Sequence, residues 1–79
     1  MKTLVIADED TVIGFSLAGV QGMIVATAEE TQRAFDQATQ ANDLGILLIT
    51  ERVAQMIRKK VDNWIIGGGQ PLIVEIPDA

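Results

Sequence analysis

Three carboxylates stand together at Asp8, Glu9 and Asp10, directly after the apolar run "TLVIA" (3–7). Acids at the C-terminal end of a parallel strand are where α/β enzymes hold metals and phosphoryl groups. A phosphoacceptor receiver domain uses such a cluster to bind magnesium, and needs in addition an Asp at the end of its third strand to take the phosphoryl group. Here the corresponding stretch reads Ile49-Thr50-Glu51-Arg52. A threonine cannot form an acyl phosphate, and there is no fifth strand carrying a Lys. The bland reading is therefore preferred: Asp10 caps the following helix, and Asp8 and Glu9 favour its positive end. The other chemical candidates are weaker. Gly67, Gly68 and Gly69 lead from a helix into a strand, the reverse of a phosphate cradle, and no GKS or GKT follows them. The chain has no Cys and no His, which removes thiolate chemistry, the usual zinc ligands and the usual neutral-pH acid–base group. No catalytic or metal-binding residue and no cofactor is expected.

The elements that would hold such groups follow from the apolar pattern. "TLVIA" (3–7), "GMIVA" (22–26), "ILLIT" (46–50) and "LIVEIP" (72–77) read as short strands. Between them lie three helical segments. The first covers 11–19, with Asp10 to cap it and Gly19 to end it. The second opens on Thr27-Ala-Glu-Glu30, a capping box with Thr27 as N-cap, and continues through Ala34, Phe35, Ala38 and Ala41 before the break at "NDLG" (42–45). The third is capped by Thr50 and carries Val53, Met56, Ile57, Val61, Trp64 and Ile65 at i, i+3, i+4 spacing. The order βαβαβαβ implies an α/β fold: a four-stranded parallel sheet in the order 2-1-3-4, with helices on both faces, as in receivers and flavodoxin.

Seventy-nine residues make one domain, folded by its 48% apolar content without disulfide or zinc staples. Right-handed crossovers put helix 1 alone on one face and helices 2 and 3 on the other. A helix of about nine residues, roughly 13 Å long, cannot cover four strands. That face awaits another helix or a partner. Gly14 within helix 1 costs ~1 kcal/mol relative to Ala, which suits a place where another backbone approaches.

The net charge of −5 argues against a nucleic-acid partner and against direct adsorption to an anionic membrane. No apolar run approaches the ~20 residues needed to span a bilayer. Four of the six bases, Arg52, Arg58, Lys59 and Lys60, share one segment and read as a solvated helix face.

"IADEDTVIGFSLAGV" resembles the opening of the F subunit of V-type and archaeal A-type rotary ATPases, in which an acidic turn leads into a "GF-x-LAG" helix. "GILLITERVAQMIRKKVD" (45–62) is similar to the third strand of that family and the helix after it, and "PLIVEIPD" (71–78) to its closing strand. The segment 21–44 matches only in type. The resemblance implies a non-catalytic central-stalk subunit that binds the coiled-coil D subunit and helps carry torque between ATP turnover and ion transport. It implies a cytoplasmic site, peripheral to the membrane through the complex. Family members usually continue into a mobile tail with a C-terminal helix. The sequence stops at Ala79, so the expectation is a single N-terminal globular domain, 1–79, without that tail helix. Ser16 stands where many relatives carry Arg, and the "IIGGGQP" link is looser than usual.

Pattern and resemblance converge on the helix 1 face. Phe15, Ser16, Gly19 and Val20, with Ile76 and Pro77 at the end of strand 4, are expected to border the partner surface, and an uncovered face can also self-associate in isolation. The alternative reading is a degenerate receiver-like interaction module without phosphoacceptor.

Overall fold

The computed structural model describes residues 2–78. The order is β1 (Lys2–Ala7), α1 (Glu9–Leu17), β2 (Gln21–Ile24), α2 (Ala28–Thr39), β3 (Leu44–Thr50), α3 (Glu51–Met56), α4 (Arg58–Gly67) and β4 (Leu72–Ile76). All pairings are parallel and the strand order is β2-β1-β3-β4, so β1 and β3 are central and β2 and β4 are edges. The expected α/β architecture is the one observed.

Strand alternation divides the sheet's side chains between two faces. Ile6, Leu47, Ile49 and Ile73 pack with Ala34, Phe35 and Ala38 of α2, Val53 and Ala54 of α3, and Val61 of α4 in one large cluster. On the other face Val5 and Ala7 form a small cluster with Val12 of α1, flanked by Phe15, Val20, Leu48 and Ile76. α1 lies over β1 and β2. Gly22 permits this closeness: a Cβ there would stand 2.6 Å from Val12 Cγ1 and 2.9 Å from Val5 Cγ1.

Three local expectations need correction. β3 begins at Leu44, so Leu44 and Gly45 of the expected "NDLG" break are already strand, with Leu44 buried. The helix expected after β3 is interrupted at Ile57 (φ −131°, ψ 39°) into α3 and α4. An unbroken helix would carry the row 53–57–61–65 around its axis by roughly 40° per step. The interruption resets that rotation, and Val53, Ile57 and Val61 are all buried. The third correction concerns the caps. Thr27 forms the full capping box, its hydroxyl accepting from Glu30 N–H at 3.1 Å while Glu30 Oε1 accepts from Thr27 N–H at 3.2 Å. Asp10, however, sits inside the first turn of α1, and the N-cap is Asp8. Thr50 occupies the N-cap position of α3 without a side-chain hydrogen bond. Its cap role passes to Asp78, whose Oδ2 accepts from Arg52 N–H at 3.0 Å.

The helix ends follow from glycine. Gly19 (φ 86°) closes α1 and Gly68 (φ 65°) closes α4, a left-handed conformation that costs other residues more. Trp64 anchors the link into β4: its indole N–H donates to Pro71 C=O at 3.0 Å, and its ring meets Phe35 edge-on at 6.3 Å between centroids. No helix among the described residues is long and apolar enough to cross a membrane.

Candidate functional site

At the C-terminal rim of the sheet the acids are brought together. Asp8 Oδ1 accepts from Thr11 Oγ1 at 2.7 Å and Oδ2 accepts from Thr11 N–H at 3.2 Å. Each oxygen thus accepts one bond, and together they hold the carboxyl below its ordinary range. Asp8, Glu9, Asp10 and Asp78 share a shallow cleft with Arg52, Val53 and Met56. Thr50, at the place where a receiver carries its phosphoacceptor, is fully buried, with its hydroxyl unpartnered among the described residues.

The second feature is the half of the sheet beyond α1. A groove of 570 Å³ runs between α1 and the end of β4, lined by Thr11, Gly14, Phe15, Ala18, Ile76 and Pro77. The helix supplies positions 11, 14, 15 and 18, one stripe at i, i+3, i+4, i+7 spacing and mostly small, so the groove wall is low. A Cβ on Gly14 would meet nothing within 4 Å. Outside the groove but on the same face of β4 as Ile76, by strand alternation, Leu72 is 61% and Val74 38% exposed. Ile73, on the other face of the same strand, is 9% exposed. On the outer surface of α1, Ile13 and Leu17 are also exposed.

Of the six residues expected to border a partner, Phe15, Ile76 and Pro77 meet in this groove. Ser16 does not reach it, since its hydroxyl donates to Ile13 C=O at 2.7 Å. Gly19 and Val20, just past the end of α1, are not among the groove's lining residues and lie beside Lys2, Thr3 and Gln21. Sequence reasoning missed Thr11 and Ala18 on the helix and Leu72 and Val74 on the strand. The signal was present in the small-residue stripe of α1 and in the alternation Leu72, Val74, Ile76.

Sequence reasoning also took Arg58 for part of a solvated face. Its guanidinium instead grips Glu75 with two bonds, at 2.6 and 2.8 Å, and also binds Gln55 Oε1 at 2.6 Å and Asp62 Oδ1 at 3.3 Å. The Arg58 bonds lower the Glu75 pKa, and Glu75 in turn raises that of Arg58. The one charged residue in the apolar run "LIVEI" was the clue. Lys60 pairs with Asp36 of α2 at 2.6 Å.

This fold is shared with a solved structure, the V-type ATP synthase F subunit of Archaeoglobus fulgidus, at a TM-score of 0.77 and 24% identity over 95% of each chain. Among curated relatives, the A-type ATP synthase F subunit of Methanocaldococcus jannaschii is 37% identical over 79 residues, covering 99% of this chain and 76% of the relative. The probable V-type proton ATPase F subunit of Caenorhabditis elegans is 38% identical, covering 92% of this chain and 69% of the relative. The family pattern described as "ATP synthase (F/14-kDa) subunit" matches residues 3–79. With all but its first two residues inside that pattern, the chain belongs to the family of F subunits of the A-type and V-type ATPases and ATP synthases.

Proposed function

We propose that the chain is a non-catalytic central-stalk subunit of a V/A-type ATPase or ATP synthase. It binds the coiled-coil D subunit on the cytoplasmic side of the membrane and helps transmit torque between ATP turnover and ion transport. Family membership supports the complex, and the observation that carries the docking role is the apolar half-face bounded by Phe15, Ile76 and Pro77. An apolar strand face left open beside an otherwise sealed core is an interface signature. The non-catalytic part rests on the commitment of Asp8 to Thr11 and the burial of Thr50. Mechanically the chain needs only stiffness and attachment, since clamping a coiled coil lowers its compliance and passes more torque along the axle.

The test is co-purification with the coiled-coil D subunit, and then assembly of the pair onto an ATP-hydrolysing head. A stable pair that joins the head, with no hydrolysis by the chain alone, is the expected result. Failure to bind any coiled-coil stalk subunit overturns the reading. The receiver-like alternative, which needs no phosphoacceptor, is disfavoured by the family match over residues 3–79.

A further inference from the structure

Resting on that central-stalk reading, we propose that the groove beside α1 takes a single amphipathic helix of a partner chain, about three turns long and basic at the end lying over the C-terminal rim of the sheet. The dimensions select a helix. On the α1 face β4 is open at Leu72 and Val74 and β3 is half-covered at Ile46 and Leu48, and two strands at ~4.8 Å spacing make a strip roughly 10 Å wide. One helix with its side chains is about 10–12 Å across. The five residues of β4 run for about 17 Å, the length of roughly 11 helical residues. In a doubly wound sheet this is the place of a second helix beside α1. The sheet face beside the groove, Leu48, Leu72, Val74 and Ile76 by strand alternation, is aliphatic, and the wall at Gly14 is open.

Charge selects the chemistry of the occupant and its orientation. Asp10 directly precedes Thr11 and Asp78 directly follows Pro77, two lining residues of the groove. Both acids share the neighbouring rim cleft with Glu9, where Arg52 is the only base among the described residues. α1 contributes no base, and Arg33, Arg58, Lys59 and Lys60 all lie on α2 and α4, behind the sheet. A second copy of this chain would therefore bring acids to acids, whereas a helix with Lys or Arg at one end meets its complement. The apolar stripe supplies affinity and the acidic rim fixes which way round the helix lies.

The probe is a stapled 14-residue helix with a Leu/Ala stripe and three Lys at one end, titrated against the chain by fluorescence anisotropy at low and high salt. A version with Glu in place of Lys is expected to bind at least tenfold more weakly. Gly14→Leu fills open space on a helix, so the variant folds and its melting temperature holds or rises, while affinity for the Lys-ended helix falls at least tenfold. Val74→Thr keeps the shape and makes that sheet face polar, and lowers affinity several-fold. The pair Glu9→Gln and Asp10→Asn flattens the salt dependence. Equal binding by the Glu-ended helix, or full affinity in Gly14→Leu, overturns the proposal. So does a concentration-dependent dimer of the wild-type chain that Gly14→Leu dissociates, because the occupant is then a second copy. Pull-down with the coiled-coil D subunit separates the two readings. If D binds Gly14→Leu as tightly as wild type, the groove is wrong and the stalk role stands. If the Lys-ended helix binds but D does not, the stalk role fails and the groove stands.

Discussion

The two faces of the sheet are built from the same kinds of residue and end in opposite states. Behind the sheet, α2, α3 and α4 seal Leu47, Ile49 and Ile73 beneath Phe35 and Val61. In front, α1 seals Val5 and Ala7 over β1 and β2 and leaves Leu72 and Val74 on β4 open. The two halves of that front face differ through two glycines. Gly22 lies where Val12 presses so close that no side chain fits, and Gly14 lies where nothing presses at all. Tight packing and vacancy are thus 8 residues apart, at the two flanks of one helix.

That contrast can be broken by substitution. Phe35→Ala, on the sealed face, removes the ring that meets Trp64 and is expected to cost ~3–5 kcal/mol in a denaturant titration, a large share of the stability of a domain this small. Gly22→Ala pushes a methyl against Val12 and Val5 and is expected to cost about 1–3 kcal/mol, since overpacking forces side chains or the helix to shift. If Gly22→Ala is neutral, α1 is more loosely seated than its contacts indicate. Gly14→Ala has the opposite sign: with the space open, replacing glycine inside a helix stabilises by about 0.5–1 kcal/mol, read as a raised midpoint. A loss there would mean the groove is already filled.

The smallest effect is in pH. Glu75 is lowered from its ordinary value of 4.5 by the Arg58 bonds, so it binds fewer protons folded than unfolded. Its stabilisation is present above that value and lost as pH falls through the lower folded value. Asp8 and Glu30 are lowered as well, by Thr11 and by the Ala26 and Thr27 N–H groups, and act in the same direction. Glu75→Gln is expected to be less stable at neutral pH and to lose less on acidification between about pH 5 and pH 3. Parallel acid-unfolding curves for variant and wild type would show that the Arg58 grip contributes nothing.

What could be read in the sequence was whatever is settled within a few residues. "ILLI" is apolar because β3 is covered on one face and flanked on the other, and Thr27 and Glu30 carry both halves of their box three positions apart. The shortfall in front of β3 and β4 followed from helix length alone. What could not be read depends on partners far along the chain. The cap expected of Thr50 comes from Asp78, 26 residues away from the N–H it binds. Arg58 meets Glu75 across 17 residues. The interruption at Ile57 has no glycine or proline to mark it. Asp8 displaced Asp10 as the cap because Thr11 offers it both a hydroxyl and an N–H, a local fact that the spacing left ambiguous.

Glu75 and Ile76 are neighbours on β4, one gripped from behind by Arg58 and the other lining the groove in front. An edge strand has hydrogen-bonded company on one side only, and would peel first under a sideways pull. Here a tug on Ile76 is felt one residue away by a guanidinium anchored to α4, so the strand is riveted through its own thickness. Anything seated in the groove would therefore bear on a strand already tied to the helices behind the sheet.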